Sequence, residues 1–279
     1  MIVDAHHHLW DLGVRDQGWI TDPPMGVIRR SFSVGDLEPL AAAAGVSKTV
    51  VVQTVTEAGE TPELLAVAEG SELVGAVVGW VDLTAPDVAD VLAGLSGGHG
   101  GGWLRGIRHQ VQGEPDPEWL CRGDVRRGLV EVGRAGLVYE LLTVPGQLPA
   151  ACRTVAALPD VRFVVDHCSK PPVASGELGE WAELIRSLAE YENVFCKVSG
   201  LVTEADWANW TVADLRPYFE VVLDAFGPER LMFGSDWPVC LLAAGYADVF
   251  GAVGELTGGL SEVERDAVFG GTAVGVYGL

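Results

Sequence analysis

The chain has 279 residues, 48% of them hydrophobic, enough to bury a substantial core. It carries 39 acidic and 18 basic side chains, and the net charge of −21 disfavours nucleic acid or an anionic membrane as partner, because phosphates are repelled. No apolar run approaches the ~20 residues that span a bilayer, and five scattered cysteines without a C-x-x-C pair suit a reduced, cytoplasmic protein.

Short β-branched runs predict eight strands: Met1–Ala5, Lys48–Val55, Leu73–Asp82, Leu104–Val111, Leu137–Val144, Arg162–His167, Val194–Ser199 and Arg230–Asp236. Val50-Val51-Val52 and Phe163-Val164-Val165 are apolar on both faces, as strands covered on both sides are. Amphipathic or Ala/Leu-rich stretches predict helices at Leu37–Ala44, Pro62–Glu69, Val88–Leu95, Val125–Ala135, Pro149–Leu158, Trp181–Tyr191 and Leu215–Phe226, with Glu262–Phe269 last. The spacing suits a strand plus a return helix of about 30 residues. Eight such units predict an α/β fold, a single (β/α)8 TIM-barrel domain over residues 1–279, with its active site at the C-terminal strand ends. A doubly wound sheet is the competing architecture, but no Gly-rich fingerprint follows the first strand. The run Gly97–Gly102 precedes a strand and lacks Lys-Ser/Thr, so it predicts a connector with His99 solvated. The long connection over residues 11–36 predicts a segment packed over the barrel mouth.

Ionisable groups collect where strands should end. His6 and His8 in Asp4-Ala5-His6-His7-His8-Leu9-Trp10 are two apart, so in a strand they face one side and His7 the other. Two such imidazoles are half of a typical transition-metal site. Arg108 and His109 alternate in strand four, so at most one faces the pocket squarely. Glu140 lies in strand five, Asp166 and His167 end strand six, Lys197 lies in strand seven and Asp236 ends strand eight. Burying charge without purpose is costly, which points to a site. Bland readings stand beside these: Glu140 and Lys197 suit an ion pair across the barrel interior, and Asp166 suits a loop brace. Cys168 beside His167 makes a poor nucleophile–base pair because adjacent strand residues point apart, and Ser235 sits in no G-x-S-x-G elbow. His6, His8, His167 and Asp236 form the coherent set. They suit one divalent ion, Zn²⁺ by default, with a position open for water. Without metal, Asp236 serves as general base and the imidazoles hydrogen-bond a substrate carbonyl.

Across the chain, the motifs Asp4-Ala5-His6-His7-His8-Leu9-Trp10-Asp11, Gly106-Ile107-Arg108-His109, Val165-Asp166-His167-Cys168-Ser169-Lys170-Pro171, Val194-Phe195-Cys196-Lys197-Val198-Ser199-Gly200 and Met232-Phe233-Gly234-Ser235-Asp236-Trp237-Pro238 stand in a fixed order. They resemble the amidohydrolase superfamily, in particular its amidohydrolase-2 branch with the fuconolactonase-like and rhamnonolactonase-like sugar lactonases. The resemblance implies hydrolysis of a small lactone with Asp236 activating water and His167 and His109 assisting at the carbonyl. It implies that Arg108, His109 and Lys197 polarise or clasp substrate; for a lactone, Glu140 is a further expected contact, and Trp10, Trp237 and the nearby loop tryptophans are expected to stack on a sugar ring. No carboxylated lysine marks strand four and one histidine ends a later strand, so the resemblance implies one metal ion at most and no organic cofactor. The alternatives are a metal-dependent decarboxylase or hydratase of unsaturated carboxylic acids on the same barrel, and a non-catalytic sugar-binding protein. Subunit number is left open, a homo-oligomer included.

Overall fold

The computed structural model describes residues 1–21 and 23–279. Eight parallel strands follow one another in sheet order: β1 (Ile2–His7), β2 (Val46–Val52), β3 (Val74–Gly79), β4 (Leu104–His109), β5 (Val138–Leu141), β6 (Phe163–Val165), β7 (Val194–Val198) and β8 (Leu231–Phe233). This order has no point of reversal, which excludes the doubly wound alternative. The barrel closes at its rim. His7 and Trp237 form a parallel bridge, His8 N donates to Trp237 O at 2.7 Å, and Asp236 N donates to His6 O at 2.8 Å. The buried Asp4 carboxylate locks this seam, accepting from Ser235 N at 2.8 Å, His6 N at 3.1 Å and the Tyr246 hydroxyl at 3.0 Å.

Inside the barrel the side chains form two layers. Val3, Ala5, Val50, Val52, Ala76, Val78, Val138, Val164 and Met232 make an apolar layer, joined by Ala273, Val276 and Tyr277 near the C-terminus. Two residues beyond Gly106, Val138, Val164 and Phe195 the same face carries Arg108, Glu140, Asp166 and Lys197, so the second layer is charged. The register of β1 against β2 slips by one residue between Asp4 and His7. That slip lets Ala5 join the apolar layer while its neighbour His6 meets the charged one.

Helices cover the outside: α1 (Val34–Ala43), α2 (Glu60–Glu69), α3 (Val88–Gly97), α4 (Gly123–Arg134), α5 (Leu148–Ala157), α6 (Gly179–Ala189) and α7 (Val212–Phe226). Carboxylates three residues in accept from the backbone at their starts, Asp36 from Ser33 N at 2.9 Å and Asp214 from Thr211 N at 2.7 Å. A return helix that the sequence did not reveal, α8 (Tyr246–Leu256), follows β8; Gly251 and Gly254 dilute its helical pattern. The single helix expected over Glu262–Phe269 is instead a short α9 (Glu262–Asp266) followed by a π turn over Ala267–Gly271. There a Cβ on Gly270 would meet Met1 O at 2.0 Å, so the helix widens where β1 enters, then resumes as α10 (Thr272–Tyr277).

Several strands end earlier than the β-branched runs predict. β8 stops at Phe233 and not Asp236, whose φ is +55°, and β6 stops at Val165 because His167 to Lys170 all hold φ between 50° and 58°. His99 is exposed and pairs with Glu69 Oε2 at 2.7 Å. Among the described residues no helix is long and apolar enough to cross a membrane, and all five cysteines are free.

On α4, Gly128 lies against the backbone of Leu83, where a Cβ would come within 2.2 Å of the carbonyl oxygen. Replacing Gly128 with Ala is expected to cost about 1–3 kcal/mol of stability, read as a lowered urea midpoint. An unchanged midpoint would show that the helix shifts there without cost.

Candidate active site

At the rim four groups converge. His6 Nε2, His8 Nε2 and His167 Nε2 lie 3.8, 3.4 and 3.8 Å from Asp236 Oδ1, and the two strand-one Nε2 atoms are 3.2 Å apart. Local backbone sets each side chain. His8 follows β1 directly, His167 opens the left-handed run after β6, and Asp236 takes its left-handed turn while its N–H holds His6 O. The His167 ring fits because Gly200 has no side chain. A Cβ at Gly200, whose φ is +66°, would sit 2.6 Å from His167 Nδ1.

The other nitrogen of each imidazole is engaged. His8 Nδ1 is 2.8 Å from Val52 O and His167 Nδ1 is 2.8 Å from Ser199 Oγ. A carbonyl only accepts, so His8 carries its proton on Nδ1 and turns a lone pair at Nε2 toward the cluster. His6 Nδ1 faces two partners, Asp166 Oδ1 at 3.4 Å and Lys197 Nζ at 3.1 Å. If His6 donates to Asp166, two Nε2 lone pairs meet at 3.2 Å, an arrangement that calls for a cation between them. If Lys197 donates to His6, the proton sits on Nε2 and bonds His8 directly. Three imidazole nitrogens and one carboxylate oxygen are a donor set that fits a divalent transition metal, and His6, His167 and Asp236 have ligand atoms within 4.8 Å of one another.

Beneath the cluster lies the charged layer. Asp166 Oδ2 accepts from Arg108 Nη1 at 3.1 Å and its Oδ1 lies 3.1 Å from Lys197 Nζ. Lys197 also pairs with Glu140 Oε2 at 2.6 Å, and the Tyr277 hydroxyl donates to Glu140 Oε1 at 2.5 Å. Arg108 donates Nε and Nη2 to Gln53 Oε1 at 3.2 and 2.9 Å. Burial acts upward on the Asp166 carboxyl, yet Lys197, His6 and Arg108 hold it well below the ordinary range. Glu140 is raised, by burial and then by the Asp166 charge, against the pull of Lys197.

Burial and then the Lys197 charge push His6 well below the ordinary histidine range, and burial pushes His167 down to about 4. Asp236 ends below its usual value: burial acts upward, but His167 and then His8 outweigh it. At neutral pH the cluster therefore holds neutral imidazoles at 6 and 167 facing an ionised carboxylate, the protonation that metal ligation or general-base work requires.

A cavity of about 380 Å³ opens onto this cluster. His8, Arg108, His167 and Asp236 reach it. Its walls come from Trp19 and Met25 of the long first connection, Thr54, Gln110, Gln112 and Leu142, and from Lys170, Thr203, Glu204, Trp207, Val239 and Leu242. The first connection does cover the barrel mouth.

Five expected site residues are not brought to this wall. His109 stacks on Trp119 with centroids 4.3 Å apart; its Nδ1 accepts from Trp80 Nε1 at 3.0 Å and its Nε2 lies 2.8 Å from Glu114 Oε1. Both nitrogens are thus spent, and alternation gives the interior to Arg108. Glu140 and Lys197 are wholly buried in the charged layer, where they form the interior ion pair and do not line the cavity. Trp10 donates to Arg30 O at 2.7 Å and packs on Trp19 and Phe32, and Trp237 packs on Phe32. Both lie beneath the cover, while Trp19 and Trp207 face the cavity. Sequence reasoning did not assign Gln53, Ser199, Lys170 or Glu204. Lys170 was visible beside His167, but the left-handed turn that aims it inward was not.

The chain belongs to the amidohydrolase family, whose model matches residues 3–279. It is 40% identical to the L-fucono-1,5-lactonase of Burkholderia multivorans, with 99% of this chain and 96% of that one covered. A crystal structure of a Burkholderia multivorans amidohydrolase with bound zinc superposes with a TM-score of 0.93 at 40% identity, covering 100% of this chain and 99% of that one. The 5-carboxyvanillate decarboxylase of Sphingomonas paucimobilis, at 14% identity and TM-score 0.66 over 100% and 99% of the two chains, shares the fold alone.

Gly200→Ala is expected to push the His167 ring off the cluster and lower kcat/KM by about 10²-fold, while the far-ultraviolet circular dichroism stays that of the wild type. Near-normal kcat/KM in this variant would mean that His167 needs no fixed position.

Proposed function

We propose that this protein hydrolyses the ester bond of a small sugar lactone, an aldono-1,5-lactone being the substrate class. The observation that carries this reading is the ionised Asp236 carboxylate, 3.4–3.8 Å from three imidazole nitrogens at the floor of a cavity of about 380 Å³. The name of the 40% identical relative supports the substrate class. His6, His8, His167 and Asp236 would hold one divalent ion, and the zinc-bound relative supports Zn²⁺. Such an ion, when bound, polarises a carbonyl oxygen and lowers the pKa of water.

The chain's own residues account for the remaining steps. Asp236 accepts a proton as water adds its oxygen to the lactone carbonyl carbon. Negative charge develops on the former carbonyl oxygen, where the Arg108 guanidinium at the cavity floor is the fixed cation that stabilises it. The intermediate collapses, the bond from carbonyl carbon to ring oxygen breaks, and Asp236 returns its proton to that oxygen. The product is an open-chain hydroxy acid, which releases one proton at neutral pH. A lactone is an activated ester, so one base and one electrophilic site suffice. Trp19 and Trp207 give the sugar ring apolar faces to lie against.

Asp236→Asn is expected to lower kcat by about 10²–10⁴-fold in a pH-indicator assay with L-fucono-1,5-lactone, with the melting temperature retained. A variant that keeps its rate would remove Asp236 as base. Elemental analysis of untagged protein is expected to find about one zinc per chain, lost in His8→Ala; equal metal content in both proteins would remove His8 as a ligand.

A further inference from the structure

A cation already paired with a protein carboxylate still polarises an oxyanion that develops beside it, but it cannot take on a second full carboxylate without stranding the first. Two permanent cations line the cavity among the described residues, and each is taken. Arg108 is held by Asp166 at 3.1 Å, and Lys170 by Glu204 at 2.9 Å. Asp236 and Glu204 contribute negative charge to the same wall. Away from the histidine cluster, then, this wall offers a carboxylate-bearing substrate no free cation.

The Lys170–Glu204 pair is also placed to be used. Both side chains are 25% exposed, and they come from the loops after β6 and β7, which flank His167. Lys170 holds φ +51° at the end of the left-handed run that begins at His167. One short segment therefore sets both the cluster imidazole and this ammonium. Trp207, which donates Nε1 to Thr203 O at 2.8 Å, lines the cavity beside them. An ammonium only donates and a carboxylate only accepts, whereas a hydroxyl does both. Two neighbouring hydroxyls can therefore bond the pair with neither charge left unmatched. A substrate carboxylate would meet Glu204 with like charge, and taking Lys170 for itself would strand a half-buried carboxylate.

We propose that Lys170 and Glu204 are the specificity-determining residues of this cavity: the pair reads adjacent hydroxyls of a neutral polyhydroxylated lactone and excludes lactones that carry a carboxylate. The inference rests on the lactonase reading given above and adds the class of lactone and the residues that choose it.

The test compares L-galactonolactone with the enantiomer of galactarolactone that has the same ring size and configuration, so that the two differ only in a terminal CH2OH or carboxylate. Wild-type protein is expected to favour the neutral lactone by about 10²-fold in kcat/KM. Glu204→Gln frees the Lys170 charge and should narrow that preference by about 10-fold, chiefly through KM for the anionic lactone. Lys170→Asn, whose side chain tolerates a left-handed backbone, should raise KM for L-galactonolactone by about 10-fold with kcat within about 2-fold, and gain nothing on galactarolactone. Equal turnover of both lactones by the wild type, or an unaltered preference in both variants, would overturn the assignment of the pair while leaving the lactonase reading intact. Turnover of no lactone at all by the wild type would overturn both.

Discussion

Four buried charges under the rim hold the rest of the structure in register. Arg108, Glu140, Asp166 and Lys197 are at most 2% exposed, and their formal charges cancel. Charge in a barrel interior is tolerable only when every group has its counterion within reach, and here each does. Lys197 forms ion pairs with Glu140 and Asp166, Arg108 bonds Asp166 and Gln53, and the Tyr277 hydroxyl donates to Glu140 Oε1. The layer rests on apolar side chains and carries the site above it. It also ties the last helix, through Tyr277, to strands five and seven.

His6 is where this layer meets the chemistry. Its Nδ1 faces Asp166 and Lys197, and its Nε2 faces His8 and Asp236. One proton on His6 therefore links two arrangements: bonded to Asp166 it leaves a set of lone pairs that fits a divalent ion, and moved to Nε2 it makes a direct imidazole–imidazole bond. The buried quartet thus sets the electronic state of the rim cluster, and of its four members Arg108 alone reaches the cavity. Its two cations are consumed in doing so, which leaves recognition at the cavity mouth to the loops after the strands.

Barrel closure supplies the second constraint. Asp236 and His6 are joined through their backbones, and Asp4 binds both sides of the same seam. The seam that completes the sheet is therefore also the one that brings the first and last members of the rim cluster together. The strained left-handed turns at Asp236 and at His167 to Lys170 lie at the rim beside it.

The sequence alone determined the alternation of strand and helix, hence the barrel, and the four groups of the rim cluster. Period-two spacing makes His6 and His8 share a face, and charge at the ends of buried strands marks a site. Tertiary structure decided which charges face the cavity. Arg108 and His109 are neighbours in sequence, yet one joins the interior layer and the other is spent on Trp80 and Glu114. Lys197 is buried while Lys170 lines the cavity, because a left-handed turn unforeseeable from residue type redirects the chain after β6. Local pattern fixes which face a side chain takes; what stands opposite that face depends on contacts between distant strands and loops, and those exist only once the barrel has closed.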